Sequence, residues 1–137
     1  MNYAIIVNPN SGKKKSIEIL NKIVIPKLLC NNHNYKTYIT EKSLHASSLA
    51  KSIDFNNYNS IILLGGDGTL HEFINGMMQR DDKMQLPIGV IPTGSGNSFL
   101  MDFNISDCTY SFHNQGHFFF YLLIDFTDIF FCWLRID

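Results

Sequence analysis

Asp67 stands between Gly66 and Gly68, directly after the apolar run Ile61-Ile62-Leu63-Leu64 and Gly65. Neighbours without side chains leave its carboxylate open to a ligand, a metal ion or a substrate proton. Two other stretches share this character: Asn8-Pro9-Asn10-Ser11-Gly12, which runs into Lys13, Lys14 and Lys15, and Pro92-Thr93-Gly94-Ser95-Gly96-Asn97. Glycines let backbone N–H groups approach a phosphate closely, and a helix starting just after such a loop adds a favourable dipole for an anion. The chemistry these residue types allow is therefore phosphate binding, with the lysines available to neutralise charge. Each loop taken singly also reads as a tight turn, the lysines as a solvated face and Asp67 as a helix cap. Three such loops in one chain are harder to explain that way.

Glu72, one turn into the helix after Asp67, points away from its apolar stripe; it either favours the helix dipole or helps hold a nucleotide or Mg²⁺. Two standard patterns are excluded. Gly12 is not part of G-x-x-x-x-G-K-[ST], and Gly94-Ser95-Gly96-Asn97-Ser98-Phe99 breaks G-x-G-x-x-G at its last position.

The elements that must position these loops alternate. Short apolar runs at Tyr3–Val7, Ile61–Leu64 and Ile88–Ile91 predict strands, and Tyr35–Ile39 looks like another. Ile17, Leu20, Val24 and Leu28 predict a helix over Ser16–Leu29, whose second half Pro26 must kink or interrupt. Ala46, Leu49, Ala50 and Ile53 place one apolar face on a helix over Ser43–Ile53, and Leu70, Phe73, Ile74 and Met77 do so on the helix after Asp67. Strand and helix in alternation predict an α/β fold, a three-layer Rossmann-like domain with a mostly parallel sheet and ligands at the carboxyl ends of its strands. All three candidate loops fall at that edge.

A chain of 137 residues with a hydrophobic fraction of 45% is expected to form one packed domain. Its net charge of −1 offers no global field for DNA, RNA or acidic membranes, so nucleic acid is not an expected partner. Cys30, Cys108 and Cys132 are odd in number and form no C-x-x-C pair, which argues against a disulfide framework or zinc site. The amino terminus lacks the basic lead of a signal peptide, so the expected compartment is the cytoplasm.

Gly65-Gly66-Asp67-Gly68-Thr69-Leu70-His71-Glu72, followed by Asn75-Gly76, resembles the signature of the diacylglycerol kinase and sphingosine kinase family. Asn8-Pro9-Asn10-Ser11-Gly12 is similar to the family's first nucleotide loop, and Pro87 to Asn97 to its third. Thr40-Glu41 followed by His45-Ala46 resembles the sphingosine and ceramide kinase branch. The resemblance covers about residues 2–103. It implies an α/β lobe that binds ATP with Mg²⁺ and a β-rich second lobe that holds the lipid. Carried over by position, Asn8, Pro9 and Asn10 would line the nucleotide site, with Lys13 and Lys15 beside them. Thr40 would hydrogen-bond the nucleotide, Gly66, Gly68, Thr69 and Glu72 would belong to the central motif, and Gly94, Ser95 and Gly96 would cradle phosphate. Asp67 would be the catalytic acid, taking a proton from a lipid hydroxyl or acting through Mg²⁺ as a metal ligand.

What the resemblance implies is an ATP-dependent lipid kinase acting on a sphingoid base, ceramide or diacylglycerol, in transient peripheral contact with a membrane. Residues 1–110 would form the ATP-binding domain. Residues 111–137 would be a divergent hydrophobic tail, a truncated start of the second lobe, too short to build the lipid pocket. The dense apolar stretch Phe118–Leu134 carries Asp125 and Asp128, which argue against a spanning helix. His113 and His117 have i, i+4 spacing but lack the Glu of H-E-x-x-H. Asn104-Ile105-Ser106 fits a glycosylation sequon. Two competing readings are an NAD kinase, which shares the Gly-Gly-Asp-Gly-Thr core, and a non-catalytic nucleotide-binding fragment that needs a missing lobe.

Overall fold

The structure, a computed structural model, describes residues 1–95 and 98 together with the backbone of 118–125 and 128–135. Four short segments form parallel strands: β1 (Asn2–Val7), β2 (Asn34–Ile39), β3 (Ser60–Gly65) and β4 (Ile88–Pro92). Two antiparallel strands, β5 (Phe118–Asp125) and β6 (Asp128–Arg135), extend the sheet beyond β4. The order among the described residues is β2-β1-β3-β4-β5-β6.

The two faces of β1 and β3 are both covered, which is why these strands read as unbroken apolar runs rather than alternating ones. Tyr3, Ile5, Val7, Ile62, Leu64 and Ile91 pack on one side against Leu20, Val24 and Leu28 of the first helical segment. Ala4, Ile6, Ile61, Leu63, Ile88 and Val90 pack on the other side against α3 (His45–Ser52) and α4 (Asp67–Met78). The result is the three-layer α/β arrangement expected from the alternation of elements.

The first helical segment keeps going through Pro26 but changes pitch before it. After α1 (Lys15–Ile19), Leu20–Val24 winds as a π-helix, with the Ile25 N–H reaching back to the Leu20 carbonyl, and α2 (Ile25–Cys30) then resumes. Proline has no N–H for the carbonyl one turn earlier, and a wider turn just ahead of it relieves that mismatch without ending the helix. The expected interruption therefore lies on the amino-terminal side of Pro26.

Helices α3 and α4 approach closely because Gly76 faces the backbone of Ser47; a Cβ there would lie 2.7 Å from the Ser47 Cα and closer still to its carbonyl oxygen. The carboxyl end of α3 is closed by a buried arginine. Arg80, 7% exposed, donates from Nη1 to the carbonyls of Ala50 (2.7 Å) and Ile53 (2.8 Å) and lies 4.0 Å over the Phe55 ring. Its Nε donates to Asp82 at 2.8 Å, and this contact, with the Met84 N–H, holds the Asp82 carboxyl down at about 2.

Register brings the functional edge together. Ile39, Val7, Leu64 and Ile91 lie on one row across β2, β1, β3 and β4, so the four following loops leave the sheet side by side. The chain turns to opposite sides from β1 and from β3, and the crevice between such strands is where open α/β sheets bind ligands.

Arg80→Met should cost about 2–4 kcal/mol in denaturant unfolding, because it leaves buried α3 carbonyls without a donor. The Arg80–Asp82 contribution should be present above pH 3.8 and be lost as pH falls towards 2, since the acid's folded value is depressed. Asp82→Asn should remove that acid-dependent part of the unfolding curve.

Candidate functional site

Asn8 occupies the first position after β1, and its backbone and amide hold the first loop together. Its N–H donates to the Leu64 carbonyl at 2.9 Å, continuing the β1–β3 pairing past the strand end. Its side-chain Nδ2 donates to Thr69 Oγ1 at 2.9 Å, its Oδ1 accepts the Asn10 N–H at 3.0 Å, and its carbonyl accepts Ser16 Oγ at 2.6 Å. The loop is thereby tied to the first turn of α4 at one end and to α1 at the other.

The loop then makes a left-handed turn. Gly12, Lys13 and Lys14 all have positive φ, at 59°, 56° and 73°. Gly12 is required on two counts: its own φ, and contact with the next loop, since a Cβ there would run into the carbonyl oxygen of Thr93. Thr93 is itself held by its N–H, which donates to the Gly65 carbonyl at 2.9 Å. It is 6% exposed, and its Oγ1 is buried without a hydrogen-bond partner among the described residues. The first, central and last loops are thus braced against one another through backbone groups.

Helix α4 starts with Gly66 as its N-cap and Asp67 as its first residue, so Asp67 is not the cap; its carboxylate sits in the first turn, at the positive end of the helix dipole. Gly68, next along, has no neighbouring atom among the described residues within 4 Å of the place a Cβ would occupy. Among the described residues nothing in the packing demands glycine there, and the open space borders the cleft.

That cleft has a volume of about 460 Å³, in the range of small-ligand pockets. Asn8, Asn10, Ser11 and Gly12 line it from the first loop, Gly66, Asp67, Gly68, Thr69 and Glu72 from the start of α4, and Gly94 and Ser95 from the loop after β4. A fourth wall comes from the loop after β2, with Thr40, Lys42 and Ser43. Ser43 Oγ lies 3.5 Å from Glu72 Oε1, at the limit of a hydrogen bond.

Most of the expected site residues therefore meet around one space, and a few do not. Pro9 is absent from the lining, and Lys13 and Lys15 are exposed outside it, because the left-handed turn carries the lysine run past the cleft instead of into it. Gly96 lies outside the described residues, as do His113, His117 and the Asn104 sequon. Lys42 and Ser43 were not expected. Their position just beyond a strand's carboxyl end was the available signal, and the lack of glycine in that loop concealed it. Among the described residues no group of three or more His, Cys, Asp or Glu side chains is placed to hold a metal ion by itself, and no helix is long and apolar enough to cross a membrane.

Strand ends, glycine loops and a helix N-terminus converge on one polar cleft in this α/β domain. The chain belongs to the diacylglycerol kinase catalytic domain family, which residues 2–114 match. It is 37% identical over 100 residues to sphingoid long chain base kinase 4 of Schizosaccharomyces pombe, covering 71% of this chain and 22% of that protein. It is 38% identical over 104 residues to sphingosine kinase 1 of Caenorhabditis elegans, covering 72% and 22%. A solved diacylglycerol kinase from Bacillus anthracis str. Sterne superposes with a TM-score of 0.63 at 27% identity, over 78% of this chain and 36% of that one. The chain thus spans well under half the length of the relatives it matches.

Gly12→Ala should lower stability by more than about 1 kcal/mol, from a left-handed alanine and the collision with Thr93. Gly68→Ala should leave stability unchanged or raise it by up to about 1 kcal/mol, as alanine replaces glycine in a helix with room for its methyl. Thermal melts of the two variants check both signs.

Proposed function

We propose that this cleft holds ATP with Mg²⁺ and serves phosphoryl transfer to the hydroxyl of a lipid, a sphingoid base, ceramide or diacylglycerol. The observation that carries the reading is Gly68: a glycine in the first turn of α4 that the packing of the described residues does not require, beside a cleft lined by three loops and a helix N-terminus. An anionic group fits there because the exposed N–H groups and helix dipole favour negative charge, and a side chain would fill the space. When bound, the nucleotide supplies the phosphoryl group and Mg²⁺ neutralises charge on the phosphates.

The residues present suit such a pair. Mg²⁺ usually takes one or two carboxylates and completes its shell with phosphate oxygens and water. Asp67 and Glu72 are the carboxylates on the cleft wall among the described residues, five positions apart on α4, and either or both would serve. Asn10, Ser11, Gly94 and Ser95 would bind phosphate oxygens, and Lys42 would add positive charge at the β2 side. Asp67 would also accept the proton released by the lipid hydroxyl. Phosphoryl transfer relies chiefly on positioning and charge stabilisation, so rigid loop bracing by Asn8 and Gly12 matters as much as the identity of the base. A lipid acceptor implies transient contact with a membrane surface, and the family's two-part division would leave 1–110 as the nucleotide-binding part of the protein.

In the full-length protein, Asp67→Asn should lower lipid kinase turnover by roughly 10²- to 10⁴-fold while Mg-ATP binding is retained. Turnover within threefold of the parent would contradict the role given to Asp67. Gly68→Ala should weaken Mg-ATP binding in calorimetric titration by about tenfold or more despite its unimpaired fold; unchanged affinity would place the phosphates elsewhere.

A further inference from the structure

The loop between β2 and α3 forms one wall of the cleft, yet little in its own sequence fixes it there. Its entry is anchored by the Thr40 N–H on the Val7 carbonyl at 2.8 Å, and its exit by Ala46 and Ala50, both fully buried on α3. Between these anchors Glu41, Lys42, Ser43 and Leu44 are exposed. Leu44 has φ 62° and ψ 3°, a left-handed conformation that a bulky residue adopts only when something holds it, and it is 66% exposed, so no packing of its own side chain does so. The turn around it closes through the His45 N–H on the Lys42 carbonyl at 3.3 Å.

A second contact spans the same turn from the side chain. His45 Nδ1 accepts the Glu41 backbone N–H at 3.0 Å. This contact requires a lone pair on Nδ1, which the tautomer carrying its hydrogen on Nε2 supplies. It ties the residue after Thr40 to the first residue of α3, and α3 is itself fixed against α4 at Gly76. From the sheet end to the helix, Thr40, Lys42 and Ser43 are therefore presented by a strained turn under a histidine strap.

We propose that His45 is a positioning residue for the nucleotide, holding Thr40, Lys42 and Ser43 against the cleft without touching the ligand itself. This rests on the reading of the cleft as a nucleotide site, but its first step, the fixing of the loop, is independent of that reading. Without the strap, the left-handed Leu44 is free to relax towards an ordinary backbone conformation, and the wall then moves away from the bound phosphates or base. Saturating nucleotide would restore the arrangement, so the effect falls on affinity rather than on turnover.

The test uses three variants of the full-length protein. Asparagine places a carbonyl oxygen where Nδ1 stood, glutamine places it near the Nε2 position, and alanine supplies no acceptor. His45→Ala and His45→Gln should speed hydrogen exchange at the Glu41 amide by tenfold or more and raise the KM for ATP about tenfold, with kcat within threefold of the parent. His45→Asn should restore both to within threefold. Parent-like exchange in His45→Ala would overturn the strap. Faster exchange with an unchanged KM would overturn its role in nucleotide positioning, as would a loss confined to kcat. If the parent itself shows no Mg-ATP binding, the nucleotide reading fails, while the exchange measurement still decides whether His45 fixes the loop.

Discussion

The Asn8 side-chain amide connects the first loop to the start of α4, and the geometry of the cleft depends on that connection. One end of the amide donates to Thr69 and the other accepts from Asn10, so both its polar atoms are engaged within the protein. Asn8 therefore sets the loop while still lining the cleft. A carboxamide does this where a carboxylate could not: it presents a donor and an acceptor at once, about two ångströms apart, to two different elements. Through Thr69 the contact reaches the helix turn that carries Asp67 and Gly68, and through Gly12 the same loop bears on Thr93. The cleft is thus bounded by three mutually braced loops and one that hangs from its own strap.

This division has a physical logic. Phosphate binding by backbone N–H groups needs the groups to be fixed before the anion arrives, since ordering them afterwards would consume the interaction energy. The braced loops meet that need with backbone contacts to β1, β3 and β4, strands buried on both faces. The β2 side is different. That strand is at the sheet edge and half-exposed, and among the described residues the loop leaving it is held by Thr40 in the ladder, by the two His45 contacts across the turn and by the long Ser43–Glu72 contact. Local opening is expected where few buried contacts hold a segment, and this wall is where the cleft has freedom to adjust.

Much of this was legible in the sequence. Three apolar runs and the Tyr35–Ile39 segment marked the four parallel strands with ends misjudged by one residue or so, and the periodicities of α3 and α4 matched the faces that are buried. The loops were legible because Gly, Asn and Ser mark backbone that cannot continue a strand or helix. What stayed hidden was set by tertiary contact. Nothing in the types of Lys13 and Lys14 predicts positive φ; the turn follows from Gly12 pressing on Thr93, and with it the lysines leave the cleft. Lys42 and Ser43 carry no turn signal, and they line the cleft because Ile39 and Val7 are in register. Arg80 looks like any surface arginine until the end of α3 is seen to lack donors for its carbonyls.

The central claim is that Mg-ATP occupies the space between these loops, and amide hydrogen exchange of the full-length protein with and without Mg-ATP tests it residue by residue. Slower exchange confined to residues 10–12, 40–43, 66–69 and 94–95, with little change on α2 or at the carboxyl end of α4, is the predicted result. Protection that appears elsewhere while these four segments exchange as before would contradict the account.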